Sequence, residues 1–364
     1  MRARAWLVAL VVVALGCGRA PAAGARLEHD AYVWQRAWTG AVAASVAAPP
    51  AAIGRLRVLI AEVDTTATLA MPAVATSALA AARRPVIAVV RVDGARLVAG
   101  LSLAPALAQV ARWRAAGVDV VGLEVDHDCA TAALADYARW LAANRPPASL
   151  AWSITALPTW AGAPALPAVA AAVDELVVQV HAVRAPAVFA AATARRDLAR
   201  FAAAVPGARL RVALPTYAVT IGGVEVRAEP DAVAGFVRAL ERRPITGVRG
   251  VAWFRLPVAG DRAAWSAPTL AAVIRGAPLV ERITAHAVRR QAGSWDLVLR
   301  NGGTRAGRWP DVRVGGDVAA SDLIGGYLPA PTPRRWLAPR RELQPGDDVV
   351  IGWATGREVS IDAM

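Results

Sequence analysis

The chain alternates short apolar runs with longer alanine-rich stretches, and the alternation repeats about eight times between residues 31 and 256. The apolar runs have the length and the Val, Ile and Leu content of buried strands, whereas the alanine-rich stretches have the length of helices. The predicted strands are Ala31–Gln35, Leu56–Asp64, Pro85–Asp93, Val118–Asp128, Leu150–Leu157, Glu175–His181, Leu210–Tyr217 and Val248–Leu256.

Helices are predicted between these strands, and several of them are followed by a Gly or Pro that would end the helix. Strand and helix alternating eight times over about 250 residues is typical of a TIM-like (β/α)8 barrel, which we assign to residues 28–280. A doubly wound parallel sheet is the alternative architecture. The clearest helix candidates are Pro105–Ala116, Thr131–Ala143, Pro186–Ala204 and Asp231–Arg242.

The alternation stops after Arg275, and residues 281–364 hold short strand candidates separated by Gly, Pro and Asn turns. Asn301-Gly302-Gly303 is a strong turn signal. These features predict a small all-β domain, sandwich-like, after the barrel. Its strand candidates are Thr284–Arg289, Trp295–Leu299, Val312–Val314 and Val349–Trp353.

The first 17 residues have the form of an export signal: two arginines, an apolar core and a small-residue end. Ala14-Leu15-Gly16-Cys17 resembles a bacterial lipobox, which implies lipidation of Cys17 and a tether over residues 18–27. A lipid anchor on the membrane is therefore expected, in the cell envelope, and Gly18 favours the outer membrane facing the periplasm. Ordinary secretion is the alternative if Cys17 is not lipidated.

Composition changes this picture little. The formal net charge is +13 and the mean hydropathy +0.39, but all 41 cationic residues are arginine and much of the apolar fraction is alanine. The arginines are scattered as singles and pairs without the interleaved aromatic residues of a nucleic-acid platform, so we predict no nucleic-acid partner. No cofactor is predicted, and the oligomeric state stays open.

Polar residues gather at the carboxyl ends of the predicted strands, where active sites of (β/α)8 barrels lie. The amino-terminal halves of the same strands are mostly Val, Ile, Leu and Ala. This polarity gradient predicts a binding cleft at one mouth of the barrel, with aromatic residues offering ring faces to a sugar. The predicted substrate-binding residues are Trp34, Glu62, Arg91, Asp93, Thr155, Trp160, Gln179, His181, Tyr217, Trp253 and Arg255.

The fourth strand ends with a carboxylate at every second position, Glu124, Asp126 and Asp128. Period-2 spacing sends all three to one face, about 6.5 to 7 Å apart, and His127 to the other. Like charges this close raise at least one pKa and create a proton donor. These three residues are the predicted catalytic group.

Three motifs resemble family-18 glycoside hydrolases, the chitinase and endo-N-acetylglucosaminidase class. Gly122–Asp128 is similar to the fourth-strand Gly-x-Asp-x-Asp-x-Glu of that class. Leu214-Pro215-Thr216-Tyr217 is similar to its seventh-strand Leu-Pro-x-Tyr, and Gly250–Trp253 to its eighth-strand Gly-x-x-x-Trp, one residue shorter. The chain as a whole, from Tyr32–Arg36 to Tyr217, resembles more closely a family of bacterial lipoproteins, domain-of-unknown-function family 3142.

The glycosidase resemblance implies a role for each matched residue. Asp128 would be the acid, Asp126 would orient an acetamido group, and Glu124 would be the inner carboxylate, with Tyr217 as a polar clamp and Trp253 as the floor beneath a sugar ring. Asp128 stands where the class has Glu, one methylene longer.

Together these features predict an envelope lipoprotein that acts on N-acetylated envelope glycans by carboxylate acid/base catalysis. A non-catalytic glycan-binding or envelope-assembly protein is one alternative. A metal-dependent polysaccharide deacetylase, with a metal on His181, Asp126 and Asp128, is another, although our leading prediction has no metal. A thiol pair of Cys129 and His181 is a further alternative.

Overall fold

Eight parallel strands form the centre of the molecule. The computed structural model describes residues 26–181, 187–221 and 223–364. All eight predicted strands are present, and their ends differ from the predicted ones by a few residues. The strands are β1 (Glu28–Val33), β2 (Arg55–Val63), β3 (Val86–Val92), β4 (Val120–His127), β5 (Ala151–Ala156), β6 (Glu175–Gln179), β7 (Leu210–Pro215) and β8 (Val248–Phe254).

The eight strands close into a barrel. Each strand pairs in parallel with its neighbours in the chain, from β2 through β8, and β1 pairs with both β2 and β8. Glu28 lies opposite Gly250 at one seam, and Asp30 lies opposite Arg55 at the other. Closure leaves no free sheet edge, so the predicted (β/α)8 barrel is confirmed and the doubly wound sheet is wrong.

One α-helix follows each barrel strand and packs outside it. Thr39 caps the first helix by accepting from Val42 N, and Ser266 caps the last by accepting from Thr269 N. Short single turns at Thr131–Ala133 and Pro158–Gly162 precede two of the helices. The helices are α1 (Gly40–Ala47), α2 (Thr76–Ala82), α3 (Ala104–Ala115), α4 (Leu134–Ala143), α5 (Leu166–Ala171), α6 (Ala191–Ala204), α7 (Pro230–Arg242) and α8 (Ala267–Arg275).

The main hydrophobic core lies between the barrel and its helices. Valine, leucine and isoleucine side chains of alternate strand positions point outward into it, as period 2 requires. His127 belongs to this outer layer, as predicted: it is fully buried and its ring meets Tyr137 edge to face at 5.2 Å.

The lower part of the barrel interior is filled by charges. Arg57 on β2 donates to Asp30 at 2.9 Å and also contacts the carboxylates of Glu124 and Glu175. Arg211 on β7 donates to Glu175 at 3.2 Å. We call these five residues the ionic floor.

Burial and ion pairing act oppositely on the carboxylates of the ionic floor. Burial raises the pKa of Glu124, although Arg57 and the hydroxyl of Tyr32 oppose it. For Glu175 burial would do the same, but Arg57 and Arg211 prevail and lower its pKa to about 2. Buried charges are tolerated only when paired and hydrogen-bonded in this way.

Small strands decorate the loops above the barrel. Leu69–Ala70 pairs antiparallel with the end of β2. Ala218–Ile221 and Val224–Arg227 form a hairpin between β7 and α7. Both lie on the side of the barrel where the strands end.

The C-terminal segment forms antiparallel sheets, with four long strands where strands were predicted. Its largest sheet has six strands, and a two-stranded sheet formed by Gly307–Arg308 and Glu342–Leu343 contributes Leu343 to the same small core. Asn301 accepts from Gly303 N within the predicted turn. The six strands are Ile283–Gln291, Ser294–Asn301, Val312–Leu323, Leu328–Pro329, Arg335–Leu337 and Asp348–Ala363.

Two N-terminal predictions lie outside the described residues: the signal over residues 1–17 and lipidation of Cys17. The first eight residues of the predicted tether also lie there. Among the residues that the structure describes, no helix is long and apolar enough to cross a membrane.

Candidate functional site

A cavity of about 510 Å³ opens where the barrel strands end. Nine of the fourteen predicted catalytic and substrate-binding residues line it, although their chain positions range from 34 to 217. The strand ends that the sequence predicted to form a barrel-mouth site therefore lie around one cavity. These nine residues are Trp34, Arg91, Asp93, Asp126, Asp128, Thr155, Gln179, His181 and Tyr217.

One side of the cavity is polar and is organised by Arg91 on β3. Its Nη1 donates to Asp126 Oδ2 at 2.9 Å, its Nη2 to Asp128 Oδ2 at 2.9 Å, and its Nε to Asp93 Oδ1 at 3.0 Å. The fork geometry of a guanidinium group fixes several carboxylates at once. We call these four residues the polar wall.

Asp126 is the most enclosed carboxylate of the polar wall, with 5% of the residue exposed. Its Oδ1 accepts from Thr155 Oγ1 at 2.6 Å and from Gln179 Nε2 at 3.2 Å, in addition to the bond from Arg91 to Oδ2. Burial raises the pKa of Asp126, and Asp128 adds to that shift, while Arg91 and Thr155 oppose it. The shift has the direction expected for neighbouring carboxylates, with burial as its main cause.

The other side of the cavity is aromatic. Trp34 and Phe254 meet with ring centroids 5.3 Å apart, and Tyr32 contacts Phe254 at 5.6 Å. Tyr217 contacts Phe254 at 5.7 Å, and the ring of His181 stacks on Phe254 at 5.9 Å. We call these five residues the aromatic wall.

His181 and Tyr217 are joined within the aromatic wall, with His181 Nδ1 and the Tyr217 hydroxyl 3.1 Å apart. Burial lowers the pKa of His181 to about 4, so the imidazole is neutral near pH 7. Burial raises the pKa of Tyr217 to about 12, so its hydroxyl keeps its proton. Neither group adds charge to the cavity.

Glu124 does not line the cavity, contrary to the predicted catalytic triplet. It is fully buried in the ionic floor, one pleat below Asp126. Its Oε1 accepts from the hydroxyl of Tyr32 at 2.6 Å, and its Oε2 accepts from Ser153 at 3.0 Å and from Arg57. All three carboxylates share a face, as predicted, but Glu124 lies too deep to meet a ligand.

Two predicted aromatic residues face the core instead of the cavity. Trp253 is fully buried outside the barrel, where its ring stacks on His29 at 5.9 Å. Phe254 occupies the cavity instead. Trp160 is also fully buried, and its indole N–H donates to Cys129 O at 2.9 Å. Neither tryptophan is the sugar platform that the sequence suggested.

Two predicted charged residues lie beside the cavity without lining it. Glu62 is paired with Arg36, which does line the cavity. Arg255 pairs with Asp261 rather than with the acidic cluster, because its side chain follows Phe254 on the other side of the strand end. Arg255 is therefore not a lining residue of the cavity, contrary to its prediction as a substrate-binding residue.

Five lining residues were missed by sequence reasoning. Parity would have found several, because side chains two apart on a strand share a face. Tyr32 and Arg36 share parity with Trp34, Leu157 shares it with Thr155, and counting in twos from Gly250 gives Phe254. The five are Tyr32, Arg36, Leu157, Ala213 and Phe254.

Cys129 is not placed for the thiol chemistry considered as an alternative. It is 1% exposed, and burial raises its pKa to about 11, so the reactive thiolate is disfavoured. It lies in the outer core rather than in the cavity. Within the described ranges, no group of three or more His, Cys, Asp or Glu side chains is arranged to hold a metal ion.

The fold and the mouth define a class: a TIM-like (β/α)8 barrel whose mouth has paired carboxylates facing aromatic rings. Residues 82–225, less than half of the chain, match the family model described as a domain of unknown function (DUF3142). This match supports the predicted resemblance to that family over this segment. No curated protein matches the chain.

Solved structures similar to the chain include chitinases. One from Chromobacterium violaceum is 15% identical, with a TM-score of 0.48 over 68% of this chain and 98% of the other. A chitinase from Pseudoalteromonas aurantia is 12% identical, with a TM-score of 0.47 over 68% and 98%. The spore cortex-lytic enzyme SleL of Bacillus cereus is 12% identical, with a TM-score of 0.48 over 64% and 72%. The fold assignment itself rests on the strand pairing.

Proposed function

We propose that the barrel mouth binds a glycan of the cell envelope. One observation carries this proposal: a single cavity has a wall of aromatic rings opposite a wall of hydrogen-bonding carboxylates. Aromatic faces suit the apolar C–H surfaces of a sugar ring, and carboxylates accept from its hydroxyl groups. A cavity of about 510 Å³ lies in the ordinary size range of small-ligand sites.

Hydrolysis of the bound glycan is a second candidate, favoured by two carboxylates, Asp126 and Asp128, that line one cavity and are held by the same arginine. Asp128 would give a proton to the glycosidic oxygen as its bond to the anomeric carbon breaks, and the Asp126 carboxylate would stabilise the positive charge developing on the ring. Water would then add its hydroxyl group to the anomeric carbon and return its other proton to Asp128. Asp128 must first separate from Arg91, since the ion pair holds its carboxylate. This requirement makes binding the better-supported function.

Binding is tested by calorimetric titration of the full chain with soluble hexasaccharides. Trp34→Ala removes a ring of the aromatic wall, and we expect affinity to fall about tenfold or more, since a sugar–aromatic contact is worth on the order of 1 kcal/mol or more. Trp353→Ala is the control, because Trp353 is 44% exposed on the C-terminal sheet. Equal losses in the two variants would contradict the proposal.

Hydrolysis is tested by incubating the protein with chromogenic N-acetylglucosaminides and with peptidoglycan. If the chain is an enzyme, Asp128→Asn abolishes sugar release, whereas the surface substitution Asp136→Asn on α4 preserves it. Tight binding by the wild type without any turnover would instead identify a non-catalytic glycan-binding protein. Activity that survives exhaustive chelation would contradict the metal-dependent deacetylase.

We further propose that the protein reaches the envelope as a lipoprotein through Cys17, with the outer membrane as its expected site. Cells expressing the full chain with a labelled fatty acid should incorporate label into the wild type and not into Cys17→Ser. Label in both proteins, or in neither, would contradict lipid attachment at this residue.

A further inference from the structure

The charges around the cavity are unequal. Arg91 is the one cation of the polar wall, and it is shared by three carboxylates, Asp93, Asp126 and Asp128. The other lining arginine, Arg36, is already matched by Glu62. The polar wall therefore holds more negative than positive charge, and a cationic group on a ligand would balance it.

The three carboxylates of the polar wall differ in how many further hydrogen bonds they can accept. Asp126 already receives hydrogen bonds from Arg91, Thr155 and Gln179, which use three of about four lone-pair positions. Asp128 and Asp93 each receive one bond, from Arg91, on one oxygen. Their second oxygens have no donor among the described residues, and these side chains are 45% and 52% exposed.

The aromatic wall favours the same kind of ligand. A cation is attracted to the face of an aromatic ring, and the best-known biological case is recognition of ammonium groups by aromatic cages beside acidic residues. Trp34, Tyr32, Tyr217 and Phe254 supply four such rings at the mouth. His181 in the same wall is held neutral by its burial, so it does not repel a cation.

We infer that the sugar bound at this mouth carries a free, protonated amine, as a de-N-acetylated hexosamine does. The inference rests on the proposed glycan binding and narrows it to a substrate class. The resemblance to family-18 glycosidases implied an acetamido group oriented by Asp126. Asp126 is instead occupied by Thr155, Gln179 and Arg91, while the outer oxygens of Asp93 and Asp128 are open to an ammonium group.

Three β-1,4-linked hexasaccharides that differ only at carbon 2 test this inference by calorimetric titration of the full chain. They carry an ammonium group (glucosamine), an acetamido group (N-acetylglucosamine) or a hydroxyl group (glucose). We expect the glucosamine hexamer to bind about tenfold tighter than either of the others at a pH where its amines are protonated, and the preference to shrink with added salt.

Single-residue variants test which side chains cause the preference for the glucosamine hexamer. Asp128→Asn and Asp93→Asn should each remove a large part of it, whereas Trp34→Ala should weaken the binding of all three hexamers. Asp136→Asn, a surface aspartate on α4 outside the cavity, should keep the preference unchanged. Equal or tighter binding of the N-acetylated hexamer would overturn the inference and leave the proposed function standing. Failure of all three hexamers to bind would overturn both.

Discussion

The mouth and the ionic floor of this barrel each contain an arginine that pairs with several carboxylates, but the two regions differ in how far they are exposed. Arg57 in the floor and Arg91 in the mouth each hold three carboxylates. In the floor, a second arginine, Arg211, also pairs with Glu175, and both arginines are fully buried. In the polar wall of the mouth, Arg91 is the one arginine, and Asp128 is 45% exposed.

The difference shows what separates a structural carboxylate from one that can meet a ligand. In the floor, both oxygens of Glu124 are occupied by donors from Tyr32, Ser153 and Arg57. In the mouth, Asp128 keeps an oxygen open to solvent. Glu124 lies on β4 and Asp128 directly follows that strand, four positions later and on the same side, so depth and partners decide their role rather than residue type.

The largest effect is expected from removing the cation of the floor. Arg57→Met leaves Asp30, Glu124 and Glu175 buried without their shared counterion, which should lower the free energy of unfolding by about 3 to 5 kcal/mol. Arg36→Met is the control, since its pair with Glu62 lies at the surface, with 64% of the Arg36 side chain exposed. That change should cost about 1 kcal/mol or less in urea unfolding. Similar costs for both would contradict the distinction between floor and mouth.

Acid should weaken the two regions in different pH ranges. Glu175 in the floor has its pKa lowered from 4.5 to about 2, so it contributes stability above pH 4.5 that is lost as pH falls toward 2. The contribution is about 3 kcal/mol when complete. His181 in the mouth has its pKa lowered from 6.5 to about 4, so the unfolded chain binds the proton first and stability falls between those values.

Unfolding free energies measured across pH check both ranges. Glu175→Gln should flatten the slope below pH 4.5 and leave the upper range in place. His181→Asn should reduce the slope between pH 6.5 and 4, but not remove it, since His29 has its pKa lowered to about 4 as well. A slope below pH 4.5 that is the same in Glu175→Gln as in the wild type would contradict the assigned cause.

A smaller effect should separate neighbouring carboxylates on β4. Glu124→Gln breaks buried bonds to Arg57 and should cost about 2 kcal/mol of unfolding free energy. Asp126→Asn should cost less, because its partner Arg91 is partly exposed, whereas Arg57, the partner of Glu124, is fully buried. Glycan affinity should respond in the opposite order, with the larger loss in Asp126→Asn. Calorimetry on both variants measures the losses of stability and of glycan affinity. Equal losses in the two variants would place Glu124 and Asp126 in one region.

The sequence was sufficient for the barrel because the signals involved are local. Strand and helix periods, with a polar residue at each strand end, predict eight strands whose ends meet. Nine cavity residues followed from that rule alone. Parity also sent Glu124, Asp126 and Asp128 to one face and His127 to the other, and the structure has them so.

The depth of a side chain in the barrel and its hydrogen-bond partners could not be predicted from the sequence, because both depend on residues that are distant in the chain. Glu124 belongs to the floor because Arg57 reaches it from 67 positions earlier in the chain. Trp253 was predicted from a motif that is one residue shorter here than in the class it resembles. β8 has a register shift between Val248 and Gly250, and its inward positions run from Gly250 to Phe254. Strand stagger around a closed barrel sets such pairings, and no local pattern records it.

The smallest expected effect concerns Asp93, the outermost partner of Arg91. Its side chain is 52% exposed, so the ion pair with Arg91 is screened by water, and Asp93→Asn should change the free energy of unfolding by less than about 1 kcal/mol. Urea unfolding beside the wild type measures this. A loss above about 2 kcal/mol would mean that Arg91 and its carboxylates form a second closed ionic layer like the floor. A negligible loss would mean that Asp93 is open to a ligand without being needed for the fold.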